Sequence, residues 1–373
     1  MRIGKFTNLY RDVTKEGTKI PQEKYCLTGQ YPIVDQGQRV IAGWWNDDDG
    51  IFKDVPAIIF GDHTRAIKYM EEPFFIGADG VKILRPTNVK DNPKYLYYAL
   101  QAAKIPNLGY SRHFKVVKEL EIRMYSRDKQ DEIVRVLEKI DYLIDQRHAE
   151  TTYLDQLVKS RFIELFGIPG TDAFGWGLVP LGSVCSINPK KSHDPRLVSG
   201  VEVSFVPMPA VTERGEIDST AIKEYDKVKT GFTYFAENDV LFAKITPCME
   251  NGKGAVAKGL HNGIGFGSTE FHVLRPISGK TDPYWIYALT AFSQFRMDAA
   301  SNMTGSAGQR RVPASFLENY RVSLPPIALQ EQFAAFVEQT DKSKYYSSLS
   351  FRYCQAAANT YRQEWMKCRT SDF

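Results

Sequence analysis

The chain has 373 residues, 43% of them hydrophobic and 25% charged, which is ordinary for a globular protein and long enough for two domains. The formal net charge of +4 permits nucleic-acid binding without indicating it, and neither a transmembrane run of ~20 apolar residues nor a signal peptide is expected, so we predict no membrane partner. The five cysteines are widely spaced and never form a CxxC pair, which argues against a disulfide scaffold or a zinc site and favours a reducing, cytoplasmic location.

The first part of the chain, residues 1–126, has the pattern of a β-rich domain. Short runs of β-branched and aromatic residues lie between clusters of Gly, Pro, Asn and Asp, which is typical of strands joined by turns. The runs VPAIIF (55–60), PFFIG (73–77) and VKILRP (81–86) are predicted strands, and YLYYAL (95–100) is predicted to form a helix after them.

A long helix is predicted next, at residues 127–168. Apolar residues recur at heptad spacing, as in a coiled coil, and neither proline nor glycine occurs before Gly167, which ends the helix together with Pro169. Its continuous part, from about Asp128 to Phe166, would be roughly 58 Å long at ~1.5 Å per residue. The apolar seam contains Ile133, Leu137, Ile140, Ile144, Leu154 and Leu157.

The second half of the chain repeats this order. The matched segments are 57–62 with 239–244, 77–86 with 267–276, 97–100 with 286–289, and 130–141 with 330–341. Four matches in the same order indicate a duplicated module. The repeat predicts a second β-rich domain at residues 169–326 and a second long helix at 327–373. The seam of this helix begins with Phe333 and Val337 and then becomes polar, so we expect it to pair with the first helix or with another subunit.

The sequence lacks the common motifs of catalysis and metal binding. It contains no GxxxxGK[ST], GxSxG or HExxH, and GIGFGS (263–268) precedes a strand-like run rather than following one. Asp62 and His63 are a candidate acid–base pair, but neighbours on an extended loop point to opposite sides. Two alternatives stay open: a β-rich nuclease or hydrolase that uses Asp62 with His63 or His113, and a coiled-coil adaptor that does not bind DNA.

Four loops, two in each module, combine basic residues with glycines and hydroxyl groups. Arg and Gln can pair with base edges, Ser, Thr and Lys can hold phosphates, and glycines let a backbone approach a duplex. Because similar loops occur at matching places in both modules, DNA contact is favoured over ordinary polar loops. The candidate DNA-binding residues are Thr64, Arg65, Lys68, Ser111, Arg112, His113, Lys115, Lys244, Thr246, Asn251, Lys253, Gln309, Arg310 and Arg311.

These features together resemble the specificity subunit of type I restriction–modification systems. The resemblance runs from about residue 31 to residue 341, and its segments include IIFGDHTR (58–65), GYSRHFK (109–115), LFAKITP (241–247) and GSTEFHVLRP (267–276). It implies an α+β fold with two β-rich target-recognition domains, separated by two long antiparallel coiled-coil helices and related by an internal pseudo-twofold repeat.

The resemblance also implies a function. The chain would be a non-catalytic subunit that binds double-stranded DNA, each domain reading one half of a bipartite site while the helices set the spacer. Two methyltransferase subunits carrying S-adenosylmethionine would dock on the helices and flip out adenines for N6 methylation. Restriction subunits, which are motor nucleases using ATP and Mg, would complete the complex. We expect no cofactor and no metal on this chain itself.

Overall fold

The chain folds as two compact units. The computed structural model describes residues 1–77, 79–109, 111–306, 308–366 and 369–370. One unit comprises Met1–Ala149 and Ser347–Phe373, and the other comprises Glu150–Tyr346. Each unit therefore combines one β-rich part with a piece of both long helices. The predicted last segment, 327–373, includes residues 367–368 and 371–373, which lie outside the described residues, and the predicted domain boundaries stay predictions.

The first half of the chain contains nine strands and four α-helices within its described residues, besides 3-10 turns at Thr14–Glu16 and Gln22–Lys24. In chain order these elements are β1 (Arg2–Lys5), α1 (Phe6–Leu9), β2 (Tyr10–Asp12), β3 (Tyr31–Val34), β4 (Gly43–Trp45), β5 (Ala57–Gly61), β6 (Ile67–Met70), β7 (Phe75–Ile76), β8 (Val81–Pro86), α2 (Pro93–Ala102), α3 (Phe114–Val117), β9 (Leu120–Met124) and α4 (Arg127–Phe166).

The second half follows the same plan. Its elements are β10 (Leu178–Pro180), β11 (Cys185–Ile187), β12 (Glu202–Val206), β13 (Ile222–Glu224), α5 (Tyr225–Val228), β14 (Thr233–Ala236), β15 (Val240–Ala243), β16 (Gly254–Val256), β17 (Ile264–Gly267), β18 (Phe271–Pro276), α6 (Pro283–Ala291), α7 (Ser293–Ser301), α8 (Ala314–Asn319), β19 (Arg321–Ser323), α9 (Ile327–Trp365) and β20 (Arg369–Thr370). Short 3-10 turns lie at Leu181–Ser183, Lys191–His193, Met208–Ala210 and His261–Gly263.

The two units repeat one sheet topology. The strand order β2-β8-β5-β6 in the first unit corresponds to β11-β18-β15-β16 in the second, and both sheets are antiparallel. The order β4-β3-β7 corresponds to β13-β12-β17-β14, and each of these sheets contains one parallel pair, β3 with β7 and β12 with β17. Strand β1 pairs with β9 and β10 pairs with β19, while β20 adds to β9. The α+β class and the duplication expected from the sequence are confirmed.

The central strands explain why the duplicated runs determine the fold. All five residues of β5 and all four residues of β15 are buried, so both strands are continuous apolar runs. Phe60 packs in a core with Leu96 of α2, and Phe242 packs in the equivalent core with Trp285 of α6. Burying one such large side chain contributes about 1.5–3 kcal/mol, which is why the two apolar patterns form the same layers.

A buried glutamine fastens α9 to the β-rich part of its unit. The Gln330 amide donates to the carbonyls of Lys280 (3.0 Å) and Pro325 (2.9 Å). Its oxygen accepts from the backbone N–H of Asp282 (2.9 Å), the N-cap residue of α6. The glutamine therefore joins the start of the long helix to the start of the helix that covers the sheet.

Gln130 does the same for α4 in the first unit. Its amide donates to the Asp91 carboxylate (3.1 Å) and to the Tyr125 carbonyl (3.0 Å), and its oxygen accepts from the backbone N–H of Asn92 (2.7 Å), the N-cap of α2. Both glutamines are fully buried, so the same connection was kept in both copies.

A lysine, a tyrosine and a glutamate form a second contact between the β-rich part and the long helix of the first unit. The Lys94 amine on α2 lies 2.8 Å from the Glu138 carboxylate on α4 and 5.3 Å from the centre of the Tyr69 ring on β6. The amine is thus shared by an ion pair and a cation–π contact.

In the second unit a similar contact has its tyrosine on the helix and its lysine next to the strand. The Lys258 amine, just after β16, lies 3.2 Å from the Glu338 carboxylate on α9 and 4.8 Å from the centre of the Tyr284 ring on α6. The contact is of the same kind, although the segment after the strand now supplies the cation and the helix supplies the ring.

The long helices run antiparallel within each unit. In the first unit Asp141 pairs with Arg362 (2.9 Å) and the Ser347 hydroxyl donates to the Arg147 carbonyl (3.2 Å). In the second unit the Phe333 ring packs 5.5 Å from the ring of Phe162. Of the predicted seam residues, Ile133, Leu137, Phe333 and Val337 are buried, Ile140, Ile144 and Leu154 are half-buried, and Leu157 is exposed.

Leu157 is 50% exposed, whereas its predicted place in the seam would bury it. A straight helix has 3.6 residues per turn, so a strict heptad drifts by ~20° per repeat around it. The seam therefore moves away from the contact face along α4. Across the described chain, none of the helices combines the length and the apolar character that crossing a membrane requires.

Candidate nucleic-acid interface

The predicted loops of the first unit meet at one edge of its antiparallel sheet. The loop after β5 begins at Asp62, whose carbonyl accepts from the backbone N–H of His113 (2.9 Å). The Asp62 carboxylate is also used, because it accepts from the backbone N–H of Phe114 (2.7 Å) at the start of α3. Asp62 therefore joins the two candidate loops from below, and it is buried.

His113 has a role in the loop structure. Its Nδ1 lies 2.8 Å from the Asp62 carbonyl, to which it can only donate, and its Nε2 accepts from the backbone N–H of Leu108 (3.0 Å). Both ring nitrogens are thus engaged and the side chain is fully buried. The Asp62 carboxylate accepts a hydrogen bond from a backbone N–H of α3. In the structure, therefore, Asp62 and His113 hold the loops together, where the sequence suggested acid–base chemistry.

Lys68 holds a loop that the sequence did not single out. It is only 4% exposed, and its amine donates to the Asp35 carbonyl (2.7 Å), just after β3. Burial lowers the pKa of Lys68, and the charge of Asp35 opposes that shift. In the same loop Gln36 donates to the Asp79 carbonyl (3.1 Å) and accepts from the backbone N–H of His63 (3.3 Å).

The other candidates of the first unit differ in exposure. Ser111, Arg112 and Lys115 are exposed, whereas Thr64 and Arg65 are half-buried. The Thr64 hydroxyl donates to the Gln36 carbonyl, and the Arg65 guanidinium donates to the Ile105 carbonyl (3.2 Å). The outward surface of this edge is therefore formed chiefly by the 111–115 loop.

The second unit brings its two candidate loops together in the same way. The Lys244 carbonyl, at the position that matches Asp62, accepts from the backbone N–H of Val312 (2.9 Å). The Thr246 N–H donates to the Arg310 carbonyl (3.1 Å), and the Arg311 N–H donates to the Thr304 carbonyl (2.8 Å). In both units, therefore, the loop after the central strand is tied to the segment that precedes a short helix.

One carboxylate lies among the basic groups of this edge. The Arg311 guanidinium donates to both oxygens of Glu270 (2.8 and 2.9 Å), and this contact lowers the pKa of Glu270. Burial lowers the pKa of Lys244 on the same edge. Glu270 was not among the predicted residues, and in the repeat it matches a glycine of the first module.

The exposed candidates of the second unit are Asn251, Gln309 and Arg310, and the half-buried ones are Lys244, Thr246, Lys253 and Arg311. Amide, hydroxyl and guanidinium groups on glycine-rich loops are suited to base edges and phosphates. Among the described residues, no cluster of three or more His, Cys, Asp or Glu could hold a metal ion. The DNA-contact role of the listed loop residues remains a prediction.

Comparisons with known proteins agree with this architecture. Residues 175–345 match the family model described as the type I restriction modification DNA specificity domain. The chain is 43% identical over 155 residues to the type I restriction enzyme EcoEI specificity subunit of Escherichia coli, and 42% identical over 161 residues to the EcoAI specificity subunit of the same organism. These matches cover 41% and 42% of this chain but 25% and 26% of the relatives, so they span about a quarter of the relatives' length.

Solved structures show the same fold. The S subunit of a type I restriction–modification system from M. genitalium aligns with a TM-score of 0.56 at 14% identity, covering 98% of this chain and 96% of that one. A chain from a study of complex assembly and conformational transition of the type I R-M system aligns with a TM-score of 0.52 at 16% identity, covering 98% and 97%. Residues 175–345 are therefore similar to the type I restriction modification DNA specificity domain, and the expected resemblance to the specificity subunits of these systems is confirmed.

Proposed function

We propose that this chain is the DNA-recognition subunit of a type I restriction–modification complex and that each β-rich part reads one half of a bipartite site. The observation that carries the proposal is a repeated backbone hydrogen bond of 2.9 Å, from His113 to Asp62 in one unit and from Val312 to Lys244 in the other. It joins the same two loops in both copies, although the side chains on the loops differ. A conserved frame with different outward groups is suited to two different half-sites.

The outward groups have the chemistry that such reading needs. Arg112 and Arg310 are exposed, one in each unit, and arginine pairs bidentately with guanine in the major groove. Exposed Ser111 and Lys115 in one unit and Asn251 and Gln309 in the other add hydroxyl, amine and amide groups. A good bidentate pair contributes about 1–3 kcal/mol of base discrimination.

We further propose that α4 and α9 set the spacer and dock the partner subunits. Each unit exposes apolar side chains on its helix segments, which is the composition of a protein interface. In the first unit these include Tyr142, Leu143 and Tyr353, and in the second they include Tyr153, Leu157, Tyr345 and Tyr346. One patch per unit fits two methyltransferase subunits. S-adenosylmethionine, ATP and Mg would then be bound by the methyltransferase and restriction subunits, and this chain would carry no catalytic group.

The test is sequence selection by the full chain from a pool of random duplexes, followed by the variants Arg112→Ala and Arg310→Ala. We expect a bipartite site from the wild type and a loss of selectivity at one half only in each variant. Affinity should fall as salt rises, because phosphate contacts release counterions. Arg352→Ala, which removes an exposed charge from α9, is the control and should leave both halves unchanged.

Two results would refute the proposal. Equal loss at both halves in either variant would show that the units do not read independently. Transfer of methyl groups from S-adenosylmethionine to DNA by the purified chain alone would show that it is an enzyme rather than a recognition subunit.

A further inference from the structure

Arg296 is a buried cation directly beneath a candidate DNA loop. It lies on α7 and is 6% exposed, under the loop formed by residues 246–253. Its guanidinium donates to the carbonyls of Thr290 (2.6 Å), Met249 (2.7 Å) and Gly252 (3.2 Å). It also donates to the carbonyl of Lys253 (3.5 Å), so its hydrogen bonds among the described residues go to four backbone carbonyls, three of them in the loop.

The charge of Arg296 is retained at some cost. Burial lowers the pKa of Arg296 to about 10, and the carbonyls together with the face of the Phe242 ring, 4.7 Å away, take the place of water around it. The side chain therefore stays protonated at neutral pH. A buried charge is unfavourable unless its donors are used, and the groups that use them belong mostly to the loop above.

The loop is folded so that its carbonyls point inward. Its backbone N–H groups are used within the loop, since Asn251 donates to Pro247 (2.9 Å) and Lys253 donates to Cys248 (3.0 Å). The Met249 carbonyl accepts from the Gly252 N–H (3.0 Å) and also from Arg296, and the Gly252 carbonyl accepts from Arg296, as the last carbonyls of a helix accept from a cation. The side chain of Asn251 is exposed on the outer side.

The first unit holds its corresponding loop differently. That loop is short, from Gly61 to Ala66, and it is joined to its neighbour through Asp62 and His113. In the first unit α2 is followed by residues 103–109, which contain no helix, so this segment has no counterpart of α7. Arg296 thus accompanies the longer loop of the second unit.

We infer that Arg296 is a positioning residue for base selection by the second unit. It fixes the 246–253 loop from below, so that Asn251 and Lys253 meet the duplex in one orientation, without touching DNA itself. This role rests on the proposed function. It makes base discrimination at the second half-site depend on a residue that lies outside both candidate loops.

The experiment compares sequence selection from a random duplex pool by the full chain with Arg296→Lys and Arg296→Met. Lysine keeps the charge but has all its donors on one atom, so it cannot reach the four carbonyls in their present positions. Methionine removes the charge and keeps an apolar stem of similar length. The second half-site is identified independently as the half that Arg310→Ala changes.

We expect both variants to lose about tenfold in discrimination at the second half-site, while the first half-site and the salt dependence stay as in the wild type. Met297→Gln, at the exposed neighbouring position, is the control and should select as the wild type does. If Arg296→Met does not fold, Arg296→Lys with an unchanged unfolding midpoint still gives the decisive comparison.

The possible outcomes distinguish a failure of this inference from a failure of the proposed function. A folded Arg296→Lys that selects the second half-site as sharply as the wild type would overturn the inference while leaving the proposed function intact. Equal loss at both half-sites would also overturn it, since the residue would then support the whole chain. A wild-type chain that selects no bipartite sequence would refute the proposed function and the inference with it.

Discussion

Replacing Gln330 by leucine tests how the second long helix is held to its unit. Leucine is close in size to glutamine, so the packing changes little. The substitution removes both donors and the acceptor of the side chain. The carbonyls of Lys280 and Pro325 and the N–H of Asp282 then lose their partner in a buried or half-buried place.

The magnitude follows from those three groups. A buried polar group left without a partner costs about 1–3 kcal/mol, and a half-buried one lies at the lower end of that range because water can reach it. One buried and two half-buried bonds are lost. We therefore expect the free energy of unfolding of the second unit to fall by about 3 kcal/mol, part of which the added apolar surface of leucine offsets.

Urea unfolding followed by hydrogen exchange measures this loss. With a slope of about 2 kcal/mol per molar urea, the midpoint of the second unit should fall by about 1.5 M. The Asp282 N–H should exchange faster than in the wild type, whereas amides of the first unit should be unaffected. Gln332→Leu, two residues along and exposed, is the matched control. A Gln330→Leu midpoint equal to that of the control would show that the three hydrogen bonds of Gln330 do not stabilise the second unit.

Three further predictions follow from other contacts. Burial lowers the pKa of His272, so the folded state favours the neutral side chain. The stability of the fold should therefore be intact above about pH 6.5 and decline as the pH falls below that value. The decline should be smaller in His272→Gln, and an equal decline in both proteins would contradict this role of His272. The variant Lys258→Tyr should lose roughly 0.5–1 kcal/mol, and the double variant that also carries Tyr284→Lys should regain it, because the first unit has its lysine on the helix and its tyrosine on the strand. Urea midpoints of the two single variants and the double variant measure this coupling, and strictly additive effects would contradict it. Removing one heptad from both α4 and α9 should shorten the preferred DNA spacer by about three base pairs, at ~1.5 Å per helical residue and ~3.4 Å per base pair, and an unchanged spacer in the selected duplexes would remove the spacing role.

The strand order could be predicted from the sequence because apolar runs carry it. The matches of 57–62 with 239–244 and of 77–86 with 267–276 correspond to β5 with β15 and β8 with β18, which pair in the same way in both units. Burial of continuous apolar runs dominates the energetics of such strands. The long helices were predictable for the same reason, from their heptads and the absence of proline.

The supports of the loops could not be predicted. His113 was expected on an exposed loop, yet it is buried because its ring bonds to the Asp62 carbonyl, 51 residues away in sequence. Lys68 lies among apolar residues on β6, and this pattern does not indicate that its amine donates to the Asp35 carbonyl. Backbone acceptors leave no trace in a sequence, and Arg296 stayed unnoticed for that reason.

In the proposed function, two units of one chain read two halves of one DNA site. Mapping N6-methylated adenines in a genome, with and without this chain in the presence of its methyltransferase subunits, tests it most directly. We expect one added motif made of two short half-sites with a constant spacer, in which Arg112→Ala and Arg310→Ala each change a different half. An unchanged methylation map, or a single uninterrupted motif, would contradict it.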